Sequence, residues 1–108
     1  MKKKRQSKNE KDIPSVVFDR TDSRVGSVCV STAGHDEGSL LVVVAGLDRD
    51  HVYVADGKAR KLIAPKKKKM RHLSMITKLS ESATNVLQQG ICNDSFLRKI
   101  LRASSQEK

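Results

Sequence analysis

Hydrophobic and polar positions alternate along the chain in short stretches and then change period. Val28 and Val30 alternate with Ser27, Cys29 and Ser31, which predicts a strand with both valines on one face. Leu40 to Ala45 is an unbroken aliphatic run, short enough to be a strand buried on both faces. Val52 and Val54 then alternate with His51, Tyr53 and Ala55. The glycine-bearing segments Ala33-Gly-His-Asp-Glu-Gly38 and Gly46-Leu-Asp-Arg-Asp50 separate these strands as turns. Asp56-Gly57 is a hairpin signal, because glycine supplies the positive φ such a turn needs. Lys58 to Ile63 is predicted as the next strand, closed by Pro65. Three to four strands at this spacing predict a mainly β protein, a small barrel or sandwich.

Past Leu73 the period lengthens. Ser80 to Gln89 predicts a short helix stopped by Gly90. Asn93-Asp94 offers an N-cap, and Phe96, Leu97, Ile100 and Leu101 form one apolar stripe on a helix of about 8–10 residues. Arg98, Lys99 and Arg102 occupy its polar side. Such a stripe must dock, either capping the β core or meeting a partner. Ser104 to Lys108 is a polar tail that frays. At the other end, Met1 to Asp12 carries Lys2, Lys3, Lys4, Arg5, Lys8 and Lys11 and nothing apolar beyond Met1. It cannot build a core and is predicted to be a disordered basic arm. Two readings of it stay open, a solvated tail and an arm that lies on a polyanion. Ile13 to Phe18 is an apolar patch that pairs at a sheet edge or covers the core, since Pro14 excludes a central strand. The layout expected is a flexible arm and lead-in over 1–23, a β domain over 24–77 and a helical extension over 78–108.

Composition and charge add a partner class. The apolar fraction is 37%, below the usual 45–50% or so, so the folded part is expected to be shorter than the chain. Net charge is +10, which points to a polyanionic partner through Coulomb attraction and counterion release. The charge is concentrated. Between Lys58 and His72 stand eight Lys or Arg and no acid, whereas Arg24 to Gly57 holds two bases against five acids. Cys29 and Cys92 have no second Cys or His at metal-ligand spacing, so neither a metal nor any other cofactor is expected. The basic start leads into polar residues and not into an apolar signal core. No apolar run reaches the roughly 18 residues that span a bilayer. Reduced thiols in a cytoplasmic protein are therefore expected. A lone His35 in a glycine turn and a Cys29 in an alternating strand read as surface and packing residues and not as catalytic groups, so no enzyme and no small-molecule substrate is expected.

The stretch Val25-Gly-Ser-Val-Cys-Val-Ser-Thr-Ala-Gly-His-Asp-Glu-Gly-Ser-Leu-Leu-Val-Val-Val44 resembles the KOW motif of ribosomal proteins and transcription elongation factors. Its continuation, Asp56-Gly-Lys-Ala-Arg-Lys-Leu62 and Pro65-Lys-Lys-Lys-Lys-Met-Arg-His-Leu73, resembles the small bacterial KOW-domain RNA-binding proteins. Those are similar to KOW-containing large-subunit ribosomal proteins. Asn93 to Leu101 looks like their helical tail. The resemblance covers about half the chain, Val25 to Leu73, and implies an SH3-like barrel of five strands whose KOW loop and basic turn lie on RNA. Gly38 stands at the family's glycine position. The chain departs from the family in the loop itself, where His35, Asp36 and Glu37 stand in place of the usual bases, which moves the expected contacts toward the basic run.

Taken with the charge pattern, this makes Lys58, Arg60, Lys61, Lys66, Lys67, Lys68, Lys69, Arg71 and His72 the expected RNA contacts, joined by His35 and Gly38 of the loop and by Lys2, Lys3, Lys4 and Arg5 of the arm. Lysine meets phosphate as a point charge and arginine as a fork. Alternation along a Lys58–Ile63 strand would send Arg60 and Lys61 to opposite faces. Only Phe18, Tyr53 and Phe96 are aromatic, and two of them read as core, so base stacking is not the expected main mode. Shape and backbone recognition of folded or duplex RNA, ribosomal RNA among them, is expected, with the ribosome as host. The competing expectation is a KOW module that binds protein, such as RNA polymerase, through the Phe96–Leu101 stripe.

Overall fold

The aliphatic run at Leu40 becomes the central strand. The computed structural model describes residues 18–105. In it β2 (Leu40–Gly46) lies between β1 (Ser27–Ser31) and β3 (His51–Ala55). β4 (Lys66–Lys69) flanks β3 and β5 (Leu73–Lys78) flanks β1, so the order is β4-β3-β2-β1-β5 with every pair antiparallel. Because side chains alternate along a strand, β2 feeds two cores. Val42 and Val44 join Val25, Val28, Ala55, Leu87, Leu97 and Leu101 in one cluster. Leu41 and Val43 join Cys29, Val52 and Val54 in the other, with Met70 and Leu73 packed against it. The expectation of a strand buried on both faces is met, and β1 extends it: Cys29 and Ser31 are as buried as Val28.

The connection between β4 and β5 sets the sheet's shape. A single 3-10 turn, Met70–His72, joins these two outermost strands. Laid flat, five strands would hold them about 19 Å apart, while a three-residue turn of this kind rises about 6 Å. The sheet therefore curls around the Leu41–Val54 cluster, against which Met70 of this turn and Leu73 pack. No ladder joins β4 to β5 among the described residues, so the curl stays open at that seam.

Two helices cover the other face. α1 (Glu81–Gln88) starts where the Ser80 hydroxyl accepts from the Ala83 amide at 3.3 Å, and Gly90 at φ +74 ends it, as the sequence predicts. α2 (Asp94–Ser105) begins at Asn93, whose Oδ1 accepts from the Phe96 amide at 2.8 Å. At 12 residues α2 is longer than its stripe alone predicts. Leu97 and Leu101 are buried against the sheet, each contributing about 1.5–3 kcal/mol by leaving water, and Ile100 packs beside them, so most of the stripe is spent on the protein's own core. No helix among the described residues is long and apolar enough to cross a membrane.

Two expectations about strands are overturned. Lys58–Ile63 is not a strand, because carboxylates take backbone amides that a ladder would need. Asp56 Oδ1 accepts from the amides of Lys58 and Arg60, both at 2.8 Å. The Leu62 amide reaches Asp94 Oδ1 at 2.8 Å, and the Ala64 amide bonds the Lys61 carbonyl. Pro65 therefore opens the next strand and does not close one. The lysine row is itself β4, paired with β3 in the register His51 to Lys69, Val52 to Lys68, Tyr53 to Lys67 and Val54 to Lys66. β5 has no alternating pattern to betray it, since Ser74 to Lys78 are all exposed. Of the lead-in, residues 18–23 are described, and Asp19 makes a two-way backbone bridge to Gly46 at 3.0 and 2.8 Å. Arg24 then clamps the β2–β3 turn, donating to the Asp48 carbonyl at 2.7 Å and the Arg49 carbonyl at 3.0 Å while pairing with Asp22 at 2.7 Å. The rest of the expected arm, with Lys2, Lys3, Lys4 and Arg5, lies outside the described residues.

Candidate nucleic-acid interface

Pairing with β3 sorts the four consecutive lysines into two pairs. Lys66 and Lys68 stand opposite Val54 and Val52, which face the interior of the curl. Lys67 and Lys69 stand opposite Tyr53 and His51 and are exposed. Tyr53 packs against the cluster beneath the helices, so the two outward lysines share the sheet's helix-bearing side. Arg71, exposed on the following turn, joins Lys69 around a hollow that Asp50, His51 and Met70 complete. His72 is half-buried, and its carbonyl accepts from the Thr32 amide at 2.8 Å.

Lys68 is withdrawn from the surface. Its side chain is 6% exposed, and Nζ donates to Asp36 Oδ1 and to the Ala33 carbonyl, both at 2.8 Å. The Ser31 hydroxyl lies 3.1 Å from the same carboxylate oxygen. The second oxygen, Oδ2, is buried without a hydrogen bond among the described residues, with Lys66 Nζ at 3.8 Å. Burial pushes the Asp36 carboxyl up, but the hydrogen bonds from Lys68 and Ser31, with the charges of Lys68 and Lys66, outweigh it and hold the carboxyl below its ordinary value. Asp36 of the 33–38 loop is thus the partner of the row's inward half. Two of the eight bases between Lys58 and Arg71 face Asp36, and six remain outside it. Lys68 as an RNA contact is corrected accordingly: buried and paired, it cannot reach a phosphate without breaking that pair.

The loop residues go elsewhere. His35 and Gly38 are exposed at the β1–β2 connection, where Gly38 at φ +88 returns its amide to the Ser31 carbonyl at 2.7 Å. Arg60 borders a hollow with His35, Asp36 and Asp56. Lys58 and Lys61 instead line a cleft with Arg98 and Arg102 of α2. Arg60 and Lys61 do part company, although turn geometry separates them and not strand alternation. Arg98 and Arg102 were legible in the sequence only as polar-side cations. They follow the buried Leu97 and Leu101 by one residue each, which sets them at the border of the docked stripe, and only docking shows that they meet the 56–62 loop.

That loop is held by α2. Arg98 Nη1 donates to the Gly57 carbonyl at 2.6 Å, and Asp94 takes the Leu62 amide. Gly57 is buried at φ +79, and a Cβ there would collide with the Asp94 carbonyl oxygen. Gly57→Ala is expected to cost about 2 kcal/mol from backbone strain alone, read as a lowered urea midpoint, with an unchanged midpoint refuting a fixed loop.

The thiols are poor nucleophiles. Burial pushes Cys29 up to about 12, and burial with the Asp94 charge pushes Cys92 up to about 11. Among the described residues no three His, Cys, Asp or Glu side chains converge as a metal site. The aromatic expectation is revised: Phe18 is 40% exposed and Tyr53 half-buried, their ring centroids 5.1 Å apart, with the Arg20 guanidinium 5.8 Å from the Phe18 ring. Phe96 is also half-buried. Compared with family models and with curated proteins, the chain matches none.

Proposed function

We propose that this protein is a non-catalytic RNA-binding protein of KOW type, whose curled sheet acts as an SH3-like barrel and whose outward cations bind the backbone of structured RNA. The observation that carries this reading is the sorting of the row: Lys67, Lys69 and Arg71 face solvent, while Lys66 and Lys68 face Asp36. A solvated charge run has no need of such an order. The strand holds the outward cations at a spacing of about 7 Å along one face, comparable to the distance between successive phosphates. Tyr53 and Phe96 are half-buried and the exposed Phe18 ring already packs against Tyr53 and Arg20, which favours backbone and shape contacts over base reading. Ribosomal RNA and the ribosome are the partners this reading names, with a cytoplasmic location.

A second reading, a protein-binding module of the transcription or translation machinery such as one meeting RNA polymerase, is weakened because Leu97 and Leu101 of α2's stripe are buried, leaving only the half-buried Phe96 and Ile100. It keeps support in the exposed Met75 and Ile76 on the edge strand β5 and in Ile63. Co-purification with polymerase and not with ribosomal RNA would decide for it.

The test is a salt-series titration against ribosomal RNA fragments, unrelated duplex RNA and DNA of equal length. With four phosphate contacts, affinity for RNA is expected to fall about 50-fold or more between 50 and 200 mM salt. RNA should be preferred over DNA. Equal weak binding to all three would refute the reading.

A further inference from the structure

The cleft between the 56–62 loop and α2 has a volume of about 610 Å³, within the range of ligand sites. Four cations line it, two from each of two segments far apart in sequence: Lys58 and Lys61, Arg98 and Arg102. Its one acid among the described residues is Asp56, whose Oδ1 is engaged by the amides of Lys58 and Arg60. Its aliphatic wall is Leu40 and Leu101. Cations brought together this way repel one another, and an anion between them removes that cost. The Arg98 bond to Gly57 and the Asp94 bond to Leu62 hold the two walls in place before any ligand arrives, which reduces the ordering cost of binding. Arg98 spends one N–H on Gly57 and keeps the rest of its guanidinium fork.

We infer that this cleft is a phosphate-binding site, and that its phosphate belongs to the RNA backbone. The second half of that statement rests on the RNA reading above. The site would extend the contact surface from the β4 edge onto α2, on the same side of the sheet, and would make the C-terminal helix part of the interface and not merely a cover for the core.

The experiment uses the full chain and a Lys61→Gln/Arg102→Gln variant, substituted at two exposed positions that leave the Arg98 and Asp94 bonds intact. Duplex RNA and sodium tripolyphosphate are titrated separately while backbone amide shifts are followed. RNA is expected to move the amides of 57–61 and 98–102, and the variant to bind RNA about 25-fold more weakly at 0.1 M salt, with a log–log salt slope flatter by about 1.4 to 1.8. RNA binding of unchanged affinity and slope in the variant would overturn the site while leaving the RNA reading standing. If RNA does not bind the wild type but tripolyphosphate moves the cleft amides, and does so less in the variant, the phosphate site stands and the RNA assignment falls. Cleft amides that respond to neither probe overturn the site. A thermal melt of the variant matching wild type shows that the fold is retained; amide shifts of the free variant confined to the substituted positions check the same point independently.

Discussion

Replacing Lys68 by alanine is expected to remove about 3 kcal/mol of folding stability, the lower end of the cost of breaking a buried ion pair. The same change at its neighbour Lys67 should stay within about 0.5 kcal/mol. The difference arises from what each leaves behind. Lys68→Ala strands the Asp36 carboxylate, which is 13% exposed and has one oxygen already without a hydrogen bond. Lys66, 3.8 Å from that oxygen, can compensate in part, which keeps the loss near the lower end. Lys67 is exposed on the outer face, and its removal strands nothing among the described residues. Equal urea midpoints for the two variants would refute the buried pair. A pH series sharpens the test. The folded Asp36 carboxyl lies below its ordinary value of 3.8, so its contribution is complete above that value and is lost as pH falls through the folded one. Wild type should therefore lose stability on acidification in that window. Lys68→Ala, which removes the main cause of the lowering and leaves the desolvation, should lose less, or gain.

The complementary change, Lys67→Gln/Lys69→Gln/Arg71→Gln, is expected to leave stability nearly untouched and to weaken RNA binding by more than about 100-fold at 0.1 M salt. The estimate follows from counterion release: each lost phosphate contact removes about 0.7–0.9 from the log–log salt slope, or about five- to eightfold in affinity at that salt. The slope should flatten by about 2 to 2.7. A variant that binds as tightly as wild type, with the same slope, would remove the β4 edge from the interface and leave only the α2 cleft as a route to RNA. Asp50 and His51 beside Lys69 and Arg71 make Lys67 the position where a single substitution should read most cleanly, since its cross-strand neighbour is Tyr53.

Much of the scaffold was legible because it is written in local patterns. Val28, Leu40 to Ala45, and Val52 with Val54 declare a period of two, and the central strand's unbroken run declares burial on both faces. Ser80 and Gly90 bracket α1, and Asn93 caps α2, because unpaired amides at a helix start and the left-handed turn at a helix end demand particular residue types. The errors fall where a side chain competes for the backbone or where no pattern exists. Asp56 and Asp94 take the amides that a Lys58–Ile63 strand would need. Ser74 to Lys78 form an edge strand whose outer surface is solvent, so nothing in their order marks a buried face.

The candidate interface divides in the same way. Composition and spacing by themselves determine that the charge is concentrated after Gly57, which makes a polyanionic partner the expectation, and that α2 carries cations beside an apolar stripe. Four identical lysines carry no alternation, so which of them reach solvent is set only by the register with Val52 and Val54. That register turns Lys68 inward onto Asp36, thirty-two residues away, and leaves Lys67 and Lys69 outside. The meeting of Lys58 and Lys61 with Arg98 and Arg102 is likewise absent from any local window, because it depends on where Leu97 and Leu101 dock. Local periodicity specifies which face of an element is apolar; only packing specifies what stands across from it.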